Sequence, residues 1–317
     1  MNRIDRPDLE LVLQVAAQGS LAGAARQLEL EPPAVSKRLA ALEARLGVRL
    51  FHRTTRRLAL SEEGELFCQQ ARPLLDGLQQ LEDRLQERHK EARGTLRLAS
   101  SFGFGRTWLA PALSAFQQRH PQVELQLHLT EQLPDLTTGG LDAAVWLWAP
   151  QDASAVTRKL AANRRVLVAA PGYLARRGSP ATPADLQQHD CLVVREHSGS
   201  PTHWRLSAVE RRRDGRPVTV RVHGPLSSNS GEVVRDWCLA GHGIMLRSLW
   251  DVHEALEQGR LVHLLPGYAM LDADVHWIAP QRAQGQAAPL RLRLLQDHLA
   301  KWFAAPPWLQ PGSGRPR

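Results

Sequence analysis

The sequence predicts an α/β protein in three parts: an N-terminal all-α winged helix-turn-helix, a long connecting helix, and a two-lobed α/β domain. Three observations carry this reading. Residues 20–63 read as two short helices joined by a tight turn and followed by a small basic hairpin. Heptad-spaced leucines follow, up to about residue 93. Beyond Gly94, strand-like and helix-like segments alternate, as parallel strands require because they need crossovers.

Asp8 can cap a first helix whose apolar positions Leu9, Val12, Leu13 and Ala16 keep helical spacing, with Gly19 as its stop. Ser20 is placed as the N-cap of a second helix over 22–28, where Ala24 and Ala25 let a crossing helix come close. Pro32 and Pro33 fit a helix start, since proline has no N–H to give; Val35, Leu39, Leu42 and Leu46 then form an apolar stripe that ends at Gly47. Ser36, Lys37 and Arg38 lie on the outward face near that start, the end of a recognition helix that meets base edges. Val48 and Leu50, then Leu58 and Leu60, read as two short strands. Between them His52, Arg53, Thr54, Thr55, Arg56 and Arg57 make a turn dense in cations and hydroxyls, suited to phosphate.

From residue 32 to 60, seven basic side chains oppose the single acid Glu43, a local charge of +6. Global basicity locates nothing by comparison. Residues 1–93 hold fifteen basic and fourteen acidic residues, net +1, so +7 of the total +8 belongs to residues 94–317. Phosphates sense charge within about a Debye length, ~8–10 Å, so the local cluster makes double-stranded DNA the expected partner. Three short helices with charges outside also suit an ordinary helical bundle.

From Ser61 the chain reads as helix to about residue 93, with Glu62, Glu63 and Glu65 favouring its N-terminus and Pro73 and Gly77 predicting a kink. Phe67, Ala71, Leu74, Leu78, Leu81 and Leu85 alternate four and three residues apart. Such a stripe can pack on its own domain or on a second copy. The fresh domain beginning at Gly94 favours the second copy, giving a homodimer or a tetramer.

Strands are expected at 95–99, 123–129 and 141–147, with helices at 111–119 and 133–138 between them. A second set covers 166–170, 173–177, 184–188, 191–194, 204–206, 218–222, 231–240, 244–246 and 261–265, with Asp214 and Gly215 marking a hairpin turn. A strand at 273–279 and a helix at 290–303 return to the first lobe. The expected domains are 1–61, a linker helix 62–93, and an effector domain 94–305. Lobe 1 of the latter covers about 94–163 and 267–305, lobe 2 about 164–266. Residues 306–317 read as a disordered Pro/Gly/Arg tail.

Ligands in such sheets bind beyond strand C-termini, at helix starts. Ser100 and Ser101 follow the first strand and Thr130 the second; Ser227, Ser228, Asn229 and Ser230 precede the helix at 231–240. Hydroxyls, an amide and free N–H groups suit a small carboxylate. Ser and Asn are equally ordinary helix caps.

The run PPAVSKRLAALEARLGVRLFHRTTRRLALSEEG from Pro32 to Gly64 resembles the DNA-binding domain of LysR-type transcriptional regulators. The resemblance implies DNA contact by Pro32, Pro33, Ser36, Lys37 and Arg53, with Arg56 and Arg57 as further candidates, and a linker helix that pairs two protomers. Glu31 and Pro32 stand where most members carry Ser or Thr followed by Gln, so the operator sequence read is expected to differ. The segments SSNSGEVVRDWCLAGHGIMLRSLWDVHEALEQGRLV and RKLAANRRVLVAAPGYLARRGSPATPADLQQHDCLVVRE resemble the subgroup related to regulators of organic-acid metabolism. The family's effector domain resembles periplasmic solute-binding proteins and holds an inducer between its halves. That likeness implies pocket positions near Ser100, Ser101, Thr130, Arg195 and Asn229. Arg195 reads either as the anion's counter-charge or as a surface strand residue. Ala144, Val145 and Trp146 replace the family's usual Ala-Ile-Arg, exchanging a cation for an indole. The inducer is expected to be an organic acid, whose binding shifts protomer association and, indirectly, recruitment of RNA polymerase.

Other classes find little support. The sequence holds no nucleophile elbow, phosphate-binding loop or zinc-binding HExxH pair, so neither enzyme activity nor a cofactor is expected. Cys68, Cys191 and Cys238 are widely separated and odd in number, and read as buried thiols rather than a disulfide framework, a metal site or a redox switch. No stretch approaches the ~18 apolar residues of a membrane span, and no secretion leader is read, so the cytoplasm is the expected location. The second domain taken alone would suit a solute-binding protein without regulatory role; residues 1–93 weigh against that.

Overall fold

The computed structural model describes residues 4–53, 58–87, 92–136, 140–148, 155–195, 201–209, 217–271, 273–280 and 288–310. The chain divides into two compact units, residues 1–91 and 92–317.

In the first unit, α1 (Arg6–Gln18) is capped by Asp5 rather than by the expected Asp8. Asp5 Oδ1 accepts the Asp8 N–H at 3.0 Å and Asp8 Oδ2 accepts the Asp5 N–H at 3.2 Å, so Asp8 is the inner half of a capping box. Gly19 ends α1 in the left-handed region, at φ 58°. Ser20 Oγ caps α2 (Leu21–Gln27) by accepting the Gly23 N–H at 3.1 Å. α3 (Pro32–Leu46) starts on the two prolines and stops at Gly47; its N-cap, Glu31, makes no side-chain cap bond. Val12, Val15, Ala24, Val35, Leu39, Leu42, Leu50 and Phe51 close one core. β1 (Phe51–Arg53) pairs antiparallel with β2 (Leu58–Leu60). The strand begins at Phe51 rather than at the expected Val48, which is exposed. α4 (Glu62–Glu87) runs through Pro73. Ser61 fixes its origin: Oγ donates to the Arg49 carbonyl at 2.6 Å and accepts the Gly64 N–H at 3.0 Å. A side chain at Gly64 would overlap the Leu50 carbonyl, so glycine is required there.

The second unit holds two five-stranded sheets. The first contains β3 (Gly94–Ser100), β4 (Val123–Leu129), β5 (Ala143–Trp146), β6 (Ala155–Ala161) and β15 (Val275–Pro280), in the order β4-β3-β5-β15-β6. α5 (Phe102–Phe104), a π-helical turn Gly105–Leu109 and α6 (Ala110–Arg119) connect β3 to β4, and α10 (Leu290–Trp302) follows β15. The second sheet contains β7 (Arg165–Ala169), β8 (Cys191–Val194), β11 (Ser227–Ser228), β12 (Ile244–Ser248) and β13 (Val262–Leu264), in the order β11-β8-β12-β7-β13. Between these strands lie α7 (Pro171–Arg177), a 3-10 turn Pro183–Gln188, α8 (Gly231–Leu239) and α9 (Leu249–Glu257). β9 (His203–Ala208), β10 (Val218–Arg221) and β14 (Tyr268–Ala269) form a small third sheet.

Both large sheets are mixed rather than parallel: β15 runs antiparallel to β5 and β6, and β7 antiparallel to β12 and β13. The expected helix at 133–138 is absent over 133–136, where the chain is irregular after a turn closed by Thr130 Oγ1 accepting the Gln132 N–H at 3.4 Å; residues 137–139 lie outside the described residues. The expected disorder from residue 306 is overturned as far as 310. Pro307–Leu309 forms a 3-10 turn that buries Trp308, whose indole finds a slot among Phe104, Trp108 and Phe303. Among the described residues no helix is long and apolar enough to cross a membrane.

Candidate functional site

α3 buries Val35, Leu39 and Leu42 and leaves Pro32, Pro33, Lys37 and Arg38 exposed, with Ser36 half-buried. Among the described residues neither Lys37 nor Arg38 has an ion-pair or hydrogen-bond partner, so both charges are available to phosphate or base. Arg45 is not: its guanidinium pairs with Asp8 at 2.5 Å, which removes one charge from the +6 cluster. Glu43, the cluster's lone acid, has a structural task that sequence reasoning missed. Its Oε1 accepts the Leu50 N–H at 2.8 Å and the Phe51 N–H at 3.2 Å, bolting the first wing strand to the recognition helix. Arg53 ends β1, but its side chain, with Arg56 and Arg57, lies outside the described residues.

The heptad stripe of α4 splits in two. Phe67 is half-buried against the core of its own unit and Ala71 is fully buried. Leu74, Leu78 and Leu81 are 59%, 43% and 55% exposed, and Leu66, outside the stripe, is 59% exposed. The Leu85 side chain lies outside the described residues.

In the second unit the expected effector residues fall into two groups. On lobe 1, Ser100 is fully buried and its Oγ donates to the Val145 carbonyl at 2.9 Å, tying β3 to β5. Ser101 is half-buried at the start of α5, and the Thr130 N–H donates to the Ser100 carbonyl at 3.0 Å. On lobe 2, Arg195 is exposed; its Nε donates to Ser227 Oγ at 3.1 Å and its N–H to the Ser228 carbonyl at 2.8 Å. Asn229 is exposed, and Ser230 is half-buried as the N-cap residue of α8, without a side-chain cap bond.

The groups face each other. A Cβ at Gly103, two residues past Ser101, would lie 3.1 Å from the Trp250 ring and 3.6 Å from Glu232 Cγ, and Glu232 is two residues past Ser230. Arg106 of the π-turn pairs with Glu232, and Trp108 Nε1 donates to the Trp250 carbonyl at 3.1 Å. The helix starts that carry Ser101 and Ser230 therefore meet across the lobes. Beneath them lies a cluster the sequence reading missed. Asp251, 2% exposed at its side chain, binds Arg247 and Arg235 at 2.5 Å each, and a side chain at Gly231 would overlap the Arg247 guanidinium. The i, i+4 spacing of Arg247 and Asp251 inside an apolar run was the available signal. Trp146, which stands where the family's arginine is expected, is fully buried, with its indole N–H unpartnered among the described residues and its ring edge-on to Trp148 at 5.5 Å.

Residues 7–65 match the family described as bacterial regulatory helix-turn-helix protein, lysR family, and residues 89–303 match the LysR substrate binding domain. The HTH-type transcriptional regulator DmlR of Escherichia coli is 39% identical over 94% of this chain and 94% of its own. The HTH-type transcriptional activator TtdR of the same species is 34% identical over 93% and 92%. Among solved structures, the full-length Vibrio cholerae virulence activator AphB is similar with a TM-score of 0.65 and 26% identity, covering 95% of this chain and 100% of that one. CrgA from Neisseria meningitidis has a TM-score of 0.58 and 29% identity, covering 94% and 99%.

Proposed function

The chain belongs to the LysR-type transcriptional regulators, which bind DNA, take up effectors and oligomerise, and from that membership we propose how it works. Two protomers pair through the exposed leucines of α4 and present two α3 helices to a two-fold operator, adding their affinities. Ser36, Lys37 and Arg38 meet the groove and backbone from the start of each helix, and the wing around Arg53 meets phosphate. A small organic carboxylate enters between the lobes and is held by Ser101, Thr130, Asn229 and Ser230, with Arg195 at the rim. The observation that supports this reading is the meeting of the α5 and α8 starts across the lobes, through Gly103 beside Trp250 and Glu232 and the Arg106–Glu232 pair; hydroxyls, an amide and helix N–H groups near such a junction suit a carboxylate. Closure on the ligand favours one protomer arrangement over another, a population shift that changes recognition-helix spacing and hence polymerase recruitment. The protein works as a regulator rather than as an enzyme, in the cytoplasm beside its DNA; the relatives named above are all regulators or activators.

Lys37→Ala is expected to weaken operator binding and to lower the slope of log affinity against log salt by about 0.9, the loss of one phosphate contact. Asn229→Ala is expected to leave operator binding intact and to blunt the transcriptional response to a panel of small mono- and dicarboxylates. An unchanged salt slope sinks the DNA face, and an unchanged carboxylate response sinks the cleft.

A further inference from the structure

The two lobes join where β6 runs into β7, and three consecutive residues there are held by other segments of the chain. The Ala162 carbonyl accepts the Trp308 indole N–H at 3.0 Å. Asn163 is held from the second crossing: its N–H donates to Asp274 Oδ1 at 2.9 Å and its Nδ2 to the Ala273 carbonyl at 2.7 Å, with Ser248 Oγ at 3.2 Å. The Arg164 carbonyl accepts the Leu249 N–H, the first of α9, at 3.0 Å.

Of these partners Trp308 alone lies beyond residue 303, where the match to the family's effector domain ends. It is 4% exposed, its ring meets Trp108 edge-on at a centroid distance of 4.9 Å, and Trp108 Nε1 in turn binds the first turn of α9 through the Trp250 carbonyl. The 3-10 turn Pro307–Leu309 packs on α9 as well. The indole therefore touches the crossing peptide and the lobe 1 aromatic cluster, and its turn packs on the helix that opens from the hinge in lobe 2.

We infer that Trp308 is a positioning residue for the effector cleft: through Ala162 and Trp108 it sets the angle and stiffness at which the lobes meet. The inference rests on the cleft reading above. A neutral hydrogen bond and an edge-on aromatic contact at a crossing point act on hinge opening more than on the strands either side, which keep their own ladders.

The experiment uses the full chain with Trp308→Phe and Trp308→Ala. Phenylalanine keeps the ring contact and removes the bond to Ala162, whereas alanine removes both. Amide exchange of residues 162–165 is expected to quicken about three- to tenfold in the phenylalanine variant, the equivalent of one neutral hydrogen bond. Its melting temperature should fall by no more than a few degrees, as one lost hydrogen bond implies, and its operator affinity should match the wild type, while its carboxylate dose–response midpoint shifts. The alanine variant is expected to show a larger change at the same amides, with a lower melting temperature. Wild-type exchange at 162–165 in Trp308→Phe overturns the inference, and so does an even loss of protection across residues 92–310. If the exchange change is found but the wild type answers to no carboxylate, the hinge assignment stands and the cleft reading fails.

Discussion

Glu43 shows how one side chain joins two parts of a DNA reader. As the single acid in a basic stretch it weakens phosphate attraction, yet it is the acceptor for two wing N–H groups, at 2.8 and 3.2 Å. Glu43→Ala gains local positive charge and strands two part-buried donors, a loss of about 1–3 kcal/mol. Denaturant titration should show that destabilisation, and operator affinity should fall despite the gain in charge; a rise would mean electrostatics outweighs wing placement. The cysteines differ in the same local way. Burial, reinforced by Asp190, pushes the Cys191 thiol up to about 12, and burial pushes Cys238 up to about 12. Their thiolate forms are negligible at neutral pH, and thiolate is the reactive form. Half-buried Cys68 is also raised by burial, with Arg72 opposing. Alkylation at pH 8 should modify at most Cys68 in the folded chain and all three after denaturation; rapid labelling of Cys191 or Cys238 in the folded state would contradict this.

At the level of elements, the legible parts were those in which local chemistry and burial agree. Pro32, Pro33 and Gly47 bracket α3 in sequence and in structure, because proline and glycine act through the backbone itself. β6 was missed because it is an edge strand whose middle three residues, Thr157, Arg158 and Lys159, are exposed, so no alternation marks it. α9 was missed because His253, a polar residue, occupies its buried face beside Leu249, Trp250 and Val252. Ser101 and Ser230 sit at facing helix starts and the Ser100 hydroxyl is buried against Val145, and a sequence cannot say which of two adjacent serines faces the core. The α4 stripe divides at Ala71: up to it the face packs on its own unit, and past it Leu74, Leu78 and Leu81 are exposed. That division predicts the pairing surface. Leu74→Ala with Leu78→Ala removes two side chains 59% and 43% exposed, so the folded unit should keep its melting temperature. Sedimentation should show the subunit equilibrium moved toward monomer by at least tenfold, a magnitude in keeping with about 1.4 kcal/mol of buried apolar area. An unmoved equilibrium would place the pairing surface elsewhere.

Across the whole molecule, acid sensitivity is concentrated in the second unit, where four histidines sit below their ordinary value of 6.5. Burial is the leading cause for His189, His263, His276 and His298 alike. Cations add to it: Arg177 at His189, Arg164 at His263, Lys159 at His276, and Arg119 at His298. Burial keeps His298 below its ordinary value even though its Nε2 lies 2.9 Å from the Ala112 carbonyl, a contact that opposes the shift. Each of these groups binds its proton more readily in the unfolded chain than in the folded one. Stability therefore rises with pH wherever the unfolded state carries the extra protons, and it is lost as pH falls below about 6.5 toward the lowered folded values. Asp185 acts lower in the scale. Backbone N–H groups of Thr182 and Ala181 hold its carboxyl below the usual range, so its contribution disappears only under stronger acid, leaving the window from pH 7 to 5 to the histidines. In calorimetry of the full chain, the transition belonging to residues 92–317 should move to lower temperature between pH 7.5 and 5.5. Replacing His298 by Gln, which keeps a donor for Ala112 but cannot take up the proton, should flatten that dependence in part. A transition that holds or rises on acidification would show that charged histidine is accommodated in the folded lobes, and that their burial does not govern the pH response.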